Sequence, residues 1–166
     1  MLPLRPSLTA RRRAGAGPKP PPAGRTITRD VYETFEHTAD LGLRAVAADL
    51  DSLFAEAARG LFSIIVENLD QVEPQCKVSF HIEGSDPAYL LFDWLNELLV
   101  TFDTRHLLFA EFDVHVTDQG VQATAGGEQL DTNRHHLDHE IKAITYHGLS
   151  VVRIDNGWQA EVIVDI

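Results

Sequence analysis

The chain has 166 residues, of which 44% are hydrophobic, enough for one domain with a core but too few for two ordinary domains. The sequence contains no apolar run of membrane-span length, and its single cysteine, Cys76, excludes an intrachain disulfide and a cysteine-based zinc cluster. We therefore expect a soluble protein of a reducing compartment, the cytoplasm, with no membrane association.

Charge is distributed unevenly along the chain. The formal net charge is -11, from 14 basic and 25 acidic residues. Residues 1–29 contain seven of the basic residues and none of the acidic ones, which leaves a net charge of -18 on residues 30–166. Because an acidic field repels phosphates, we expect no strong direct binding of nucleic acid. Cations and basic protein surfaces are the expected partners.

Residues 1–29 form a basic segment rich in proline, glycine and arginine, including the run "RRRAGAGPKPPPAG". Such a segment cannot bury enough apolar surface to fold, so we predict a disordered extension. A targeting peptide or a nucleic-acid arm is the functional alternative, but the segment has no apolar core of signal-peptide length. We assign no chemistry to it.

The ordered pattern begins with two strands and a helix. The stretches "VYETFEH" and "LGLRAVAA" alternate as strands around a bend at "HTAD". The following stretch, "DLDSLFAEAARGLFSIIVENL", has apolar residues at helical spacing behind two candidate caps, Asp49 and Asp51. We expect this helix to face the core.

A second unit repeats the order of strand and helix. "KVSFHIEG" alternates as a strand, and Asp86 caps a helix that has Pro87 in its first turn. The stretches "LLFAEFDVHVT" and "GVQATAG" then flank a turn and predict a hairpin. We predict that residues from about 70 to 128 form an inserted subdomain within a domain that spans residues 30–166.

The chain closes with a loop and two strands. A polar loop, "GGEQLDTNRHHLDHE", precedes a predicted strand "IKAITYHGLSVVRID", which an Asn156-Gly157 turn joins to the last strand, "WQAEVIVDI". Two helices among about seven strands with antiparallel connections predict the α+β class. We expect an antiparallel or mixed sheet with both helices packed on one face.

The bend "HTAD" is the first place where chemistry is plausible. His37 and Asp40 lie in a short turn between strands, where polar side chains can point at a common site. An alternative is that Thr38 and Asp40 only bond the backbone of their own turn, since aspartate is favoured in turns with or without a ligand. Taken alone, the residues favour this structural explanation.

Two later clusters are also ambiguous. In "EIKAITYH", Lys142 could bind a phosphate or a carboxylate, or it could lie on the solvent face of an edge strand, which is commoner. In "HHLDHE", His135 and His139 have the spacing of a helical zinc pair, but the flanking residues indicate a loop. We predict that this histidine-rich segment is a solvated loop without a metal.

Four separated stretches resemble one known family. "YETFEHTADLGLRAVAADLDSLFAEAARGLFSII", "LLFDWLNELL", "HEIKAITYHGLSV" and the terminal "VIVDI" closely resemble the archease family, in the correct order from Val31 to Ile166. The resemblance implies a strand-helix-strand-strand module with a second such unit inserted. It also implies a protein that assists a GTP-dependent RNA ligase in tRNA splicing or RNA repair, by promoting guanylylation of the ligase and multiple turnover, without being the catalyst.

The resemblance further implies a metal site and an activity-supporting lysine. The metal ligands would be Asp40, Asp165 and the terminal carboxylate of Ile166, and the lysine would be Lys142. Three carboxylates repel one another unless a cation is present, and hard oxygen donors suit calcium, magnesium or manganese better than zinc. From the residues alone, the last strand would be expected to pair in the sheet with its acids facing water, and the resemblance reverses that preference.

Two other classes of function remain open. A chaperone-like interaction module would bind partners through an exposed apolar patch and would depend little on Asp40 or Asp165. A metal-dependent hydrolase would need a general base, for which His37 is the candidate, and no nucleophile is evident. We therefore expect no enzymatic activity, and we keep His37 with Lys142 as a residue that supports activity.

Overall fold

The computed structural model describes residues 30–37 and 39–166. The predicted disordered extension, residues 1–29, and the predicted turn residue Thr38 lie outside the described residues. The helices and strands are β1 (Val31–His37), β2 (Asp40–Ala47), α1 (Leu50–Ile65), β3 (Cys76–Glu83), α2 (Pro87–Arg105), β4 (Leu107–Thr117), β5 (Gly120–Gln129), β6 (Ala143–Ile144), β7 (Ser150–Ile154) and β8 (Gly157–Asp165), with a 3-10 turn at Leu69–Gln71.

The strands form two antiparallel sheets. The first sheet has the order β1-β2-β8-β6, and β7 pairs with β8 along the same edge as β6. The second sheet has the order β3-β5-β4. Two helices packed on antiparallel sheets confirm the predicted α+β class. The second sheet and α2 fall within residues 76–129, close to the predicted subdomain of about 70–128, whose separateness stays a prediction.

Helix α1 begins as its capping residue predicts and is joined to the second sheet. The carboxylate of Asp49 accepts a hydrogen bond from the backbone N–H of Ser52 at 2.8 Å. The other candidate cap, Asp51, accepts instead from the backbone N–H of Val116 in β4, also at 2.8 Å. This long-range bond ties the start of α1 to the second sheet, while the apolar face of α1 is buried.

Helix α2 is capped by Asp86, which accepts from the backbone N–H groups of the first turn behind Pro87. Its buried Trp94 donates an indole hydrogen bond to the carbonyl of Phe54 in α1 at 3.1 Å. The same indole packs edge-on against Phe80 and Phe112 of the second sheet. The two helices and both sheets therefore share one hydrophobic core.

The predicted strand over residues 141–155 is wrong as a single element. It is divided into β6 and β7, because Gly148 adopts a left-handed conformation with φ of 66° and ends the extended run. Ile141 and Ile144 are both buried although they are three residues apart, which strict alternation in a strand would forbid. The alternation of a single strand therefore does not extend through this segment.

The polar loop predicted from Gly126 to Glu140 is also too long. Strand β5 continues through Gln129, and Gly127 lies against the carbonyl of Leu108, where a Cβ atom would come within 1.8 Å of that oxygen. Only glycine allows this close approach of strands β4 and β5.

In residues 30–37 and 39–166, neither helix has the length and hydropathy that crossing a membrane requires.

Candidate functional site

Strand pairing brings the predicted site residues from distant parts of the sequence into one row. His37 is the partner of Asp40 in the β1–β2 pair. Leu41 is the partner of Val164 in the β2–β8 pair, so one further step in the register places Asp40 beside Asp165. Ala143 of β6 is the partner of Asp165 on its other side. Directly opposed residues of neighbouring strands project from the same face of a sheet.

The two aspartates of this row have no protein partner that would neutralise them. Within residues 30–37 and 39–166, the carboxylates of Asp40 and Asp165 have no hydrogen bond and no ion pair. Both residues are half-buried, so solvent screens their mutual repulsion only in part. The adjacent His37 has a buried Nδ1 atom with no hydrogen-bond partner. Unpartnered buried polar atoms are rare in folded proteins and indicate a site that is incomplete without a ligand.

Lys142 is held next to Asp165 by its backbone. Its N–H donates to the carbonyl of Asp165 at 2.8 Å, and three residues later both the N–H and the hydroxyl of Thr145 donate to the carbonyl of Ile163, at 3.0 and 2.8 Å. These bonds clamp residues 142–145 along the end of β8. The Lys142 side chain is exposed and has no ion pair within the described part of the chain, so its ammonium is available for an incoming anion.

A residue that the sequence did not single out, His147, lies over the same row. Its ring centroid is 5.3 Å from that of His37, with the planes tilted by 56°. It precedes Gly148, whose backbone crosses over Ile163 of β8. The turn between β6 and β7 thus covers part of the first sheet beside the aspartates. Its position in the same short motif as Lys142 is the sequence signal that could have identified it.

The oxygen donors of the row are of the kind that a hard divalent cation prefers, but the row has fewer ligating side chains than such an ion usually binds. In the described part of the chain, no group of three or more His, Cys, Asp or Glu side chains lies close enough to hold a metal ion. The row supplies two aspartates, and the terminal carboxylate of Ile166 follows Asp165 directly. Calcium and magnesium commonly complete their coordination with main-chain oxygens and water, so the residues present fit such an ion.

The prediction of a solvated histidine loop is wrong for His135. This residue is only 2% exposed, and its Nε2 lies 2.8 Å from a carboxylate oxygen of Glu128. Its Nδ1 accepts from the backbone N–H of Asp131 at 2.9 Å, so Nε2 is the nitrogen that donates to Glu128. Both ring nitrogens are occupied by the protein. His139 is exposed and lies beside Asp138, so the two histidines form no metal pair.

The other contacts of Glu128 complete a structural cluster, which we call the Glu128 cluster (Glu128, Arg134 and His135). Arg134 donates to Glu128 at 2.9 Å, and the backbone N–H of Glu73 donates at 3.0 Å. The bond from Arg134, against the opposing effect of burial, lowers the pKa of Glu128 to about 2, with the Glu73 and His135 bonds helping. The cluster fixes residues 131–135 to the end of β5 and leaves no open position for a ligand.

Comparisons with known proteins agree with the fold. The family model of the archease protein family matches residues 32–166. An archease from Methanopyrus kandleri is 40% identical over 139 residues, which covers 81% of this chain and 99% of that protein. One from Pyrococcus abyssi is 39% identical over 140 residues, with 81% and 98% covered. The chain belongs to the archease family.

The three-dimensional comparison agrees with the sequence comparison. The solution structure of Methanobacterium thermoautotrophicum protein 1598 superposes with a TM-score of 0.73 at 34% identity, covering 81% of this chain and 98% of that one. The resemblance inferred from four motifs is therefore confirmed. Archeases are a family of proteins associated with an RNA ligase, and the named members are accessory proteins.

Proposed function

We propose that this archease is a metal-dependent accessory protein that activates a GTP-dependent RNA ligase in tRNA splicing or RNA repair. It promotes guanylylation of the ligase and multiple turnover, acts in the cytoplasm and is not itself the catalyst. The observation that carries the proposal is the β2–β8 register, whose continuation brings Asp40 beside Asp165, next to the backbone of Lys142. Among the described residues these two carboxylates have no hydrogen-bond or ion-pair partner. Membership of a family associated with an RNA ligase supports the identity of the partner.

The metal would be held by Asp40, Asp165 and the terminal carboxylate of Ile166, with calcium, magnesium or manganese as the expected ion. When bound, such an ion supplies positive charge that neutralises the carboxylates. Asp40 and Asp165 come from neighbouring strands, so the sheet itself sets their separation. His37 borders the pair as the strand partner of Asp40, and the exposed ammonium of Lys142 would extend the positive potential outward, where a phosphate or carboxylate of the ligase can contact it.

Electrostatic attraction would bring the two proteins together. Residues 30–166 carry a net charge of -18, while a ligase that binds RNA needs a basic groove. Complementary charges raise the association rate and orient the encounter, and they weaken as salt is added. We therefore expect stimulation of the ligase to fall at high ionic strength. The same acidic field agrees with the expected lack of strong direct RNA binding.

The test compares single-turnover with multiple-turnover ligation, using the purified GTP-dependent RNA ligase of the same organism with manganese or magnesium. Full-length archease should increase the number of cycles per ligase while changing the first cycle little. Asp40→Asn should abolish this gain because it removes a metal ligand while keeping the size of the side chain. Asp118→Asn is the matched control, since Asp118 is exposed in the β4–β5 turn, and it should stimulate fully.

Two results would contradict the proposal. Full stimulation by Asp40→Asn and Asp165→Asn would remove the metal site from the mechanism. No stimulation by the wild-type chain would remove ligase activation itself.

A chaperone-like interaction module is the second candidate function. It is favoured by one observation, the exposure of Tyr89 and Tyr146, which are each 60% accessible to solvent. Such a module would bind several unrelated proteins and would be indifferent to Asp40→Asn. Capture experiments with the wild type and with Asp40→Asn show whether several unrelated proteins bind. The ligation assay shows whether the variant loses a stimulation, which only a ligase activator should do.

A further inference from the structure

An exposed aromatic patch lies beside the candidate metal site. It consists of Tyr89 and Phe92 on α2 and Tyr146 in the turn after β6. Phe92 and Tyr146 stack with ring centroids 3.9 Å apart and planes 12° apart, and Tyr89 lies 6.0 Å from Tyr146 at 64°. Single exposed apolar side chains are common on protein surfaces, but two tyrosines that are each 60% exposed and in contact form a patch.

The patch is held rigidly and is attached through Thr145 to β8, the strand that contains Asp165. The Phe92 stack fixes the Tyr146 ring against α2. On the other side, Tyr146 directly follows Thr145, whose two hydrogen bonds attach the segment to Ile163 of β8. Tyr146 is four positions after Lys142 in the sequence. A rigid aromatic surface loses little conformational entropy on binding, which is why tyrosine is enriched at the energetic centres of interfaces.

Acidic residues flank the part of the patch that lies on α2. The exposed acids within one helical turn of Tyr89 are Asp86 and Asp93. The described residue of opposite charge on α2, Arg105, lies at the far end of the helix from Tyr89. An aromatic centre with an acidic rim is therefore presented to the partner.

The charge of the chain decides which class of partner fits. A second copy would bring another net charge of -18 against the same rim, and an RNA would bring phosphates, so both would be repelled. A basic protein surface is attracted. Arginine suits the centre as well as the rim, because its planar guanidinium stacks on an aromatic face and also pairs with carboxylates.

We propose that the patch of Tyr89, Phe92 and Tyr146 docks on the RNA ligase, at a surface that presents arginine side chains to the exposed tyrosine rings. This inference rests on the proposed function, since the same ligase is the partner. It assigns binding to α2 and the β6–β7 turn, whereas the aspartates act after binding. The docked patch would place Lys142 and the aspartates against the neighbouring part of the ligase surface.

The test measures the dissociation constant between the full chain and the purified GTP-dependent RNA ligase of the same organism. Tyr89→Ala removes an exposed ring and leaves the Phe92–Tyr146 stack in place, so the fold should be unaffected. We expect its dissociation constant to rise about tenfold, the effect of a residue at an interface centre. Val31→Ala is the control, because Val31 is 48% exposed on the opposite edge strand of the first sheet, and it should bind like the wild type.

The turnover assay separates this proposal from the proposed function. Tyr89→Ala should stimulate fully once its concentration exceeds the raised dissociation constant, whereas Asp40→Asn should bind well and never stimulate. If the wild type binds and stimulates but Tyr89→Ala binds equally tightly, the docking surface is wrong and ligase activation stands. If the wild type neither binds nor stimulates, the proposed function fails and the docking surface fails with it.

Discussion

This protein has two clusters that combine acidic residues with histidine, and they differ in whether their polar groups have protein partners. In the Glu128 cluster, each polar group has a protein partner, and the arginine bond holds the carboxylate ionised, with its pKa at about 2. In the row at the end of the first sheet, Asp40 and Asp165 lack partners within the described residues, and the Nδ1 atom of His37 is buried without one. A cluster whose polar groups all have protein partners stabilises a fold. A cluster whose polar groups lack partners can accept a ligand.

The difference teaches how to recognise function among similar residues. The sequence contains both a histidine-rich segment that resembles a metal motif and a modest pair of aspartates in separate strands. The histidine-rich segment contributes to the Glu128 cluster, and the pair of Asp40 and Asp165 contributes to the candidate site. What separates them is the number of unused hydrogen-bonding groups, which depends on the whole fold.

The largest expected effect is on stability, at the Glu128 cluster. Glu128→Ala leaves buried His135 without its acceptor and Arg134 without its main carboxylate, so we expect a loss of about 3 kcal/mol in the free energy of unfolding. Urea unfolding measures it. Glu140→Ala removes an exposed carboxylate and should change stability by less than about 0.5 kcal/mol. Equal losses in the two variants would mean that the cluster is not structural.

The second prediction concerns metal binding at the row of aspartates. Calcium, magnesium or manganese should stabilise the wild type against thermal unfolding, by about 2.7 kcal/mol when the ion is at a hundred times its dissociation constant. Asp165→Asn should lose this gain, and without metal it should be at least as stable as the wild type, because a repulsion is removed. Asp118→Asn should keep the gain. A metal-dependent rise of equal size in Asp165→Asn would contradict the site.

The third prediction is the pH dependence that the Glu128 cluster causes. The pKa of Glu128 is depressed in the folded chain from 4.5 to about 2, so the unfolded chain binds the proton first as the pH falls. The stabilisation is complete above pH 4.5 and is lost between pH 4.5 and about 2. In that window the wild type should lose up to about 1.4 kcal/mol per pH unit more than Glu128→Gln. Parallel unfolding curves would show that Glu128 does not carry the dependence.

The smallest expected effect is at the turn between β6 and β7. Gly148→Ala forces a residue with a side chain into a left-handed conformation, at a cost of about 1 kcal/mol. The added Cβ would meet only Ile163 at 3.7 Å, an ordinary contact, so the cost is one of backbone conformation. Gly148→Asn should lose less, because asparagine tolerates that conformation. A larger loss for asparagine than for alanine would show that space is limiting instead.

The elements that the sequence predicts well are those determined locally. Asp49 and Asp86 cap the helices as expected, because each carboxylate accepts from a backbone N–H that lies within three residues of it. The β4–β5 hairpin follows from its turn at Asp118 and Gln119. The division of the strand after β6 was missed, since one glycine in a left-handed conformation interrupts a pattern of otherwise strand-forming residues.

The site and the buried histidine depend on distant contacts. Asp40 and Asp165 become neighbours only through the pairing of β2 with β8, which the motifs of the family implied and the residues alone did not. His135 is buried because residues after it bond the last turn of α1: the N–H of Asp138 donates to the carbonyl of Ile65 at 2.9 Å. The end of a helix has unpaired carbonyls, and here a loop that looked solvated supplies their donors.

The indole of Trp94, packed between α2 and the second sheet, gives the molecule a built-in optical reporter. Its only fellow tryptophan, Trp158, lies on β8 of the first sheet, beneath the guanidinium of Arg153. Trp94, which is fully buried, therefore reports on α2 and the second sheet, and Trp158, which is half-exposed, reports on the first sheet. Replacing either with phenylalanine would leave emission from a single sheet. Identical melting midpoints from the two fluorophores would show that the two sheets come apart together, and separate midpoints would show that the inserted unit has a stability of its own.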